Sequence, residues 1–355
     1  MFAYFDVQHI YYIPQYLPVI KKLTGKGHQC VLVFYKSQDA ALITICNQFI
    51  EDNQVTAVWL TNTNEAFNFY QNCNADWIIF GNAFAQSEAL NKKTAMMQHG
   101  IGPKQCYYDV SNAGMTVRFV EGEHRKNRLE ALYPNGNFVD SGYAKLDPLF
   151  NQSVERIQLT SLGLDPQKPT LLYAPTFYPS SIECMSDGFA DDFSAYNIII
   201  KPHFFSLTKP RYKKQRVKLA RWKQSKNVFI ADTNQFDLTP FLAVSDIMLS
   251  DASSAIFEFA ALDKPVIWCD FYKLRWSYRG VFSFRLKERL DDDIHYFNEI
   301  CHPARDYNQI AEKIEQAAKE SEAFKENRAA LIKQLAGRTD GLSTNRIVDY
   351  LEEHI

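Results

Sequence analysis

Three short stretches of this 355-residue chain combine residue types that do acid–base and anion chemistry. In Met96-Met-Gln-His99-Gly100-Ile-Gly-Pro-Lys104 an imidazole stands where an apolar run gives way to a glycine-containing turn. A histidine at the end of a strand can act as general base near neutral pH, because its unperturbed pKa is about 6.5. Tyr196-Asn-Ile-Ile-Ile-Lys201-Pro-His203 repeats the arrangement. Two cations at one strand end suit a diphosphate, each able to neutralise or protonate a phosphoryl oxygen. The third stretch, Ser250-Asp251-Ala-Ser253-Ser254-Ala-Ile-Phe-Glu258, reads as a strand end, a tight loop and a helix start. Serine hydroxyls and unpaired backbone N–H groups there can bind an anion. Glu258, about a turn further on, lies within reach of a ribose hydroxyl or serves as a first-turn acid favoured by the helix dipole. The plainer alternatives are turn histidines and an ordinary Asp/Ser N-cap.

Common nucleotide and metal signatures are missing. No G-x-x-x-x-G-K-[ST] occurs, and the one G-x-G, Gly100-Ile-Gly102, lacks the third glycine of a dinucleotide fingerprint. There is no H-E-x-x-H, and Asp291-Asp-Asp293 has no companion at ligand spacing, so no structural metal and no cofactor are expected. The seven cysteines are scattered and never in C-x-x-C pairs, which argues against a disulfide framework or zinc site and for a reducing cytoplasm.

The elements that must position these residues follow an α/β order. Phe2–Asp6, Cys30–Tyr35, Ala57–Leu60, Trp77–Phe80 and 94–98 read as strands, with a helix over Ile13–Leu23. The pattern breaks near residue 150, in a polar stretch followed by Gly163-Leu-Asp-Pro-Gln-Lys-Pro169. A second series follows, with strands at Thr170–Ala174, Ile198–Lys201, Val228–Ala231, Ile247–Leu249 and Pro265–Cys269. The expected architecture is two Rossmann-like, doubly wound parallel-sheet domains, 1–155 and 156–355, with a cleft between them. The C-terminal helices can pack back on the N-terminal domain.

Length, charge and hydropathy fit this picture. The length suits two domains, and a net charge of -2 excludes a chain-wide nucleic-acid polycation. The N-terminus has no signal-peptide pattern, and no apolar run is long enough to span a bilayer. One local asymmetry stands out. Residues 201–226 carry ten Lys/Arg and no Asp or Glu. Interleaved Phe204, Phe205, Tyr212 and Trp222 suggest apolar anchors for an anionic membrane surface, against the commoner reading of a solvated helix face.

With these places in hand, the sequence resembles the CDP-glycerol glycerophosphotransferase family, the teichoic-acid primases and polymerases. Its patterns W-H-G-T-P-x-K, G-Y-x-R-x-D, Y-A-P-T, K/R-x-H, T-D-Y-S-S-x-x-F-D…K-P and D-G-x-S-x-x-R-I-V are approximated here in order. The matching stretches are Gln98–Lys104, Gly142–Asp147, Tyr173–Thr176, Lys201–His203, Ser250–Glu258 with Lys264-Pro265, and Asp340–Val348. The resemblance implies a GT-B fold and transfer of glycerol phosphate from CDP-glycerol to a hydroxyl of a glycan or lipid-linked acceptor, releasing CMP. It further implies His99 as base, His203 as the group stabilising or protonating the leaving phosphate, Thr176, Ser253 and Ser254 on the diphosphate, and Glu258 on the ribose. Lys201 would join the donor site; Gly100, Lys104 and Asp251 would support it. The enzyme would work in the cytoplasm or on the inner face of the membrane. Gln98, Ile101, Lys145 and Ala252 depart from the family's usual Trp, Thr, Arg and Tyr. The alternative is a GT-B glycosyltransferase with a nucleotide-sugar donor, which would leave a nucleoside diphosphate.

Overall fold

The computed structural model describes residues 1–102, 104–109, 114–278 and 291–355. Its first seven strands are β1 (Phe2–Asp6), β2 (Gln29–Tyr35), β3 (Thr56–Leu60), β4 (Trp77–Phe80), β5 (Lys93–Met97), β6 (Val117–Val120) and β7 (Phe138–Asp140). They form one parallel sheet in the order β3-β2-β1-β4-β5-β6-β7. Parallel strands are covered on both faces, so they read as continuous apolar runs rather than alternating ones. β4 is the extreme case, with all four residues buried.

Local chemistry fixes the crossovers. The helix Ala40–Asn53 starts where the Asp39 carboxylate accepts the Ala41 N–H and stops at left-handed Gln54. A helix far along the chain, Ser343–Glu353, also belongs to this unit: the Asp147 carboxylate accepts the N–H groups of Ser343 (3.2 Å) and Thr344 (2.6 Å) at its start. Near its end the Leu351 carbonyl accepts the Trp77 indole N–H at 3.0 Å. Ile347, Val348 and Leu351 are fully buried.

The second sheet holds β8 (Thr170–Tyr173), β9 (Asn197–Ile200), β10 (Val228–Ile230), β11 (Ile247–Ser250), β12 (Val266–Cys269) and β13 (His302–Ala304). All are parallel, in the order β10-β9-β8-β11-β12-β13. Leu171, Tyr173, Ile198, Leu249 and Ile267 meet Phe189 and Trp222 in its core. The first unit comprises residues 1–101, 106–153 and 333–355, the second 102–105 and 154–332.

The basic run is only partly as expected. The helix Lys213–Trp222 turns Gln215, Leu219 and Trp222 inward, while Lys213, Lys214 and Arg221 are exposed. Phe204, Tyr212 and Trp222 are buried and so are not surface anchors; Trp222 shares the inner face of its helix with Gln215 and Leu219. Lys218 and Arg216 are tied down, donating to the carbonyls of Met185 and Glu183 and of Ser206 and Lys209. No helix among the described residues is long and apolar enough to cross a membrane.

Candidate active site

In open α/β sheets ligands collect beyond the carboxyl ends of the strands, where the strand order reverses. In the first sheet β1 lies between β2 and β4, so the reversal falls at the ends of β1 and β4. His99 stands just past the end of β5, next to β4. Its Nδ1 lies 2.8 Å from the Gly81 carbonyl. A carbonyl only accepts, so Nδ1 is the protonated nitrogen and the neutral ring carries its lone pair on Nε2. That is the tautomer of a general base acting through Nε2.

Packing fixes the ring as well. Tyr12 stacks on His99 with centroids 4.5 Å apart, and Tyr11 lies at 5.3 Å. Gly81 permits this, since a Cβ there would come within 2.6 Å of the Tyr12 ring. The Tyr143 hydroxyl donates to the His99 carbonyl at 2.9 Å. Below this layer, Asp6 at the end of β1 is buried and accepts from the hydroxyls of Tyr35 and Tyr70. Burial pushes its carboxyl up to about 6 against those hydrogen bonds.

In the second sheet the reversal lies between β8 and β11. Asp251 follows β11, is fully buried, and gathers the loop that follows β8. It accepts the Thr176 N–H (2.7 Å), the Ser181 N–H (2.9 Å) and the hydroxyls of Ser181 (3.0 Å) and Ser180 (3.3 Å). Burial raises it to about 7 even so. A residue expected only to support the site is thus the anchor of the loop carrying Thr176. His203 caps the helix Phe204–Thr208: its Nδ1 accepts the Phe205 N–H at 3.1 Å. Here Nδ1 holds the lone pair, so the neutral ring bears its proton on Nε2, the form that donates to an anion. The two histidines are held in opposite tautomers by backbone partners of opposite kind.

Lys201 follows β9 and is half-buried, its N–H donating to the Tyr173 carbonyl. Ser253 and Ser254 precede the helix Ala255–Ala260, as expected, but much of that end is satisfied internally. Ser253 Oγ accepts the Ala255 N–H (3.2 Å), and the Ser253 N–H donates to the Asp251 carbonyl. Glu258 lies inside this helix and is buried. Gly100 is buried next to His99, and Lys104 is half-buried; Pro103, within the same motif, lies outside the described residues.

Two motifs turn out to be scaffolding for each other. Gly142, at φ +82°, faces Ser343 so closely that a Cβ would come within 2.5 Å of Ser343 Oγ. Asp147 of the same stretch caps the helix containing Ser343–Val348. Lys264 donates to the carbonyls of Leu242, Ala243 and Ser245, closing the end of the helix Thr239–Val244. Sequence reasoning missed Gly81, Tyr12, Tyr143, Ser180 and Ser181. The available signal was placement: each follows a strand end, and Tyr143 also sits in a motif. Among the described residues no group of three or more His, Cys, Asp or Glu is arranged to hold a metal.

Two parallel-sheet units, each with a backbone-oriented histidine beyond its strand ends, define an α/β architecture of the GT-B class. The model of the CDP-Glycerol:Poly(glycerophosphate) glycerophosphotransferase family matches residues 82–353, and the chain belongs to that family. It is similar to the teichoic acid poly(glycerol phosphate) polymerase of Bacillus spizizenii, 26% identical over 148 residues, covering 37% of this chain and 34% of that protein. It is also similar to the teichoic acid glycerol-phosphate primase of Bacillus subtilis, 23% identical over 236 residues and 59% of each. The chain therefore spans between about a quarter and three fifths of the length of the curated relatives it matches. The structure of the wall teichoic acid polymerase TagF superposes with a TM-score of 0.67 at 14% identity, over 99% of this chain and 88% of that one. At that identity the likeness concerns the fold.

Proposed function

We propose that the protein transfers glycerol phosphate from CDP-glycerol to a hydroxyl of a glycan or lipid-linked acceptor in cell-surface polymer synthesis. The observation that carries this beyond family membership is the opposed orientation of the two histidines. His99 Nε2 takes the proton of the acceptor hydroxyl, whose oxygen attacks the glycerol-bearing phosphorus. The bond from that phosphorus to the bridging oxygen breaks, and CMP leaves with the electron pair. His203 Nε2–H donates to the phosphoryl oxygens and neutralises the charge that develops on them. Thr176, Lys201, Ser253 and Ser254 hold the diphosphate and Glu258 the ribose, with Asp251 positioning the Thr176 loop.

The exposed basic residues from Lys209 to Lys226 bring the protein to the anionic inner leaflet, where a lipid-carried acceptor resides. The attachment is electrostatic, since most of the aromatic rings of that run are buried. The test of the transferase reading is mass spectrometry of the nucleotides released from CDP-glycerol, CDP-ribitol and sugar nucleotides, with a membrane extract as acceptor. CMP formed from CDP-glycerol is expected. A nucleoside diphosphate formed only from a sugar nucleotide would replace the proposal with glycosyl transfer.

A further inference from the structure

A cavity of about 410 Å³ lies in the first unit, apart from the residues around His99. Arg118 of β6 lines it together with Met96, Met115, Tyr133 and Phe138, and Glu88. Arg118 is 3% exposed. Its Nη2 donates to the Tyr107 carbonyl (2.7 Å) and, at 3.4 Å, to Gln98 Oε1. Nε and Nη1, which together carry three of the five guanidinium N–H bonds, are buried and have no hydrogen-bond partner among the described residues. Among the described residues no carboxylate forms an ion pair with it, and Glu121 offsets only part of its burial. Glu121 is paired with Arg125 at 2.9 Å. Glu88 is exposed and accepts the Gly114 N–H at 3.1 Å.

A guanidinium stays charged in proteins, and a buried charge with open donors is strongly unfavourable unless something accepts from it. Burial, and then the charge of Arg125, push Arg118 down to about 9, with the Glu121 carboxylate opposing them only in part. The apolar walls beside it offer a surface for the body of a small molecule, and the volume lies in the range of small-ligand sites.

We propose that this cavity is an oxyanion site in which Arg118 binds a phosphate group, either free in a small molecule or carried on a phosphodiester chain. The proposal does not rest on the transferase reading. Arg118 also touches Gln98, the residue before His99, so an occupied site braces the strand that presents the imidazole.

Thermal unfolding of the full chain at constant ionic strength tests this, with inorganic phosphate, glycerol 3-phosphate and poly(glycerol phosphate) as probes against chloride. At least one probe should raise the Tm of the wild type in a saturable way. The Ser253→Ala/Ser254→Ala double variant, weakened at the donor site, should keep the response; Arg118→Met should lose it and Arg118→Lys retain part. A response to inorganic phosphate marks a small-molecule site, and a response to the polymer alone marks a chain-binding site. Met115→Trp, which fills the cavity and leaves the charge in place, should weaken the response at least ~10-fold and decides the matter if Arg118→Met does not fold. No response in the wild type, or equal responses in the wild type and in Arg118→Met or Met115→Trp, would overturn the proposal.

Discussion

At the residue scale the site is a matter of which nitrogen holds a proton. The Gly81 carbonyl and the Phe205 N–H decide this for His99 and His203. His99→Ala should lower turnover ~10²–10⁴-fold while leaving donor affinity by calorimetry nearly unchanged, since a base acts only in the chemical step. Gly81→Ala, which crowds Tyr12, should lower turnover in the same selective way. Two buried carboxyls lead to a pH prediction. Asp6 and Asp251 are held at about 6 and about 7 in the folded chain, against about 4 when unfolded. Between pH 4 and 7 the folded chain binds protons that the unfolded chain has released. Their stabilising contribution is therefore complete below pH 4 and is lost as pH rises through 6–7. Depressed acids such as Glu320 and Asp340 act in the opposite sense, and only at lower pH. Asp6→Asn mimics the protonated acid, so denaturation should show this variant losing ~1–3 kcal/mol less stability between pH 5 and 8 than the wild type. Equal losses would show that Asp6 does not titrate in that window. His99 and His203 were legible because strand end plus imidazole is a local pattern. Ser180 and Ser181 were not, because they lie about 70 residues from Asp251 and only the fold joins them.

At the element scale, the strands that read clearly are the fully apolar ones, such as Trp77–Phe80. β6, β7 and β13 escaped reading for physical reasons. Arg118 interrupts β6, β7 has three residues, and β13 has three including Pro303. Aromatic residues of the basic run were legible as aromatic, while their inward direction depended on helix phase. The wild type should co-sediment with anionic liposomes at low salt, and Lys213→Glu/Lys214→Glu/Lys223→Glu should abolish this, at ~1 kcal/mol per charge near the surface. A wild type that stays in the supernatant would mark the run as a solvated face. Asp147→Ala removes the acceptor of two N–H groups at the start of Ser343–Glu353 and should cost ~1–2 kcal/mol in urea denaturation.

At the scale of the whole molecule, the helix Ser343–Glu353 belongs to the first unit although all of residues 154–332 precede it in sequence. This arrangement dictates an order of events during synthesis. At about 5–20 residues per second, the ribosome needs ~10–40 s between finishing residue 153 and releasing the helix that covers Trp77. For that interval the unit carrying His99 waits with an uncovered apolar face, while the unit carrying His203 is being made up to residue 332. The second unit thus has its whole sequence by residue 332, before the helix that completes the first begins at Ser343. A chain stalled or truncated before residue 343 therefore lacks the cover over Trp77 and leaves the first unit incomplete, however fully the second has been made.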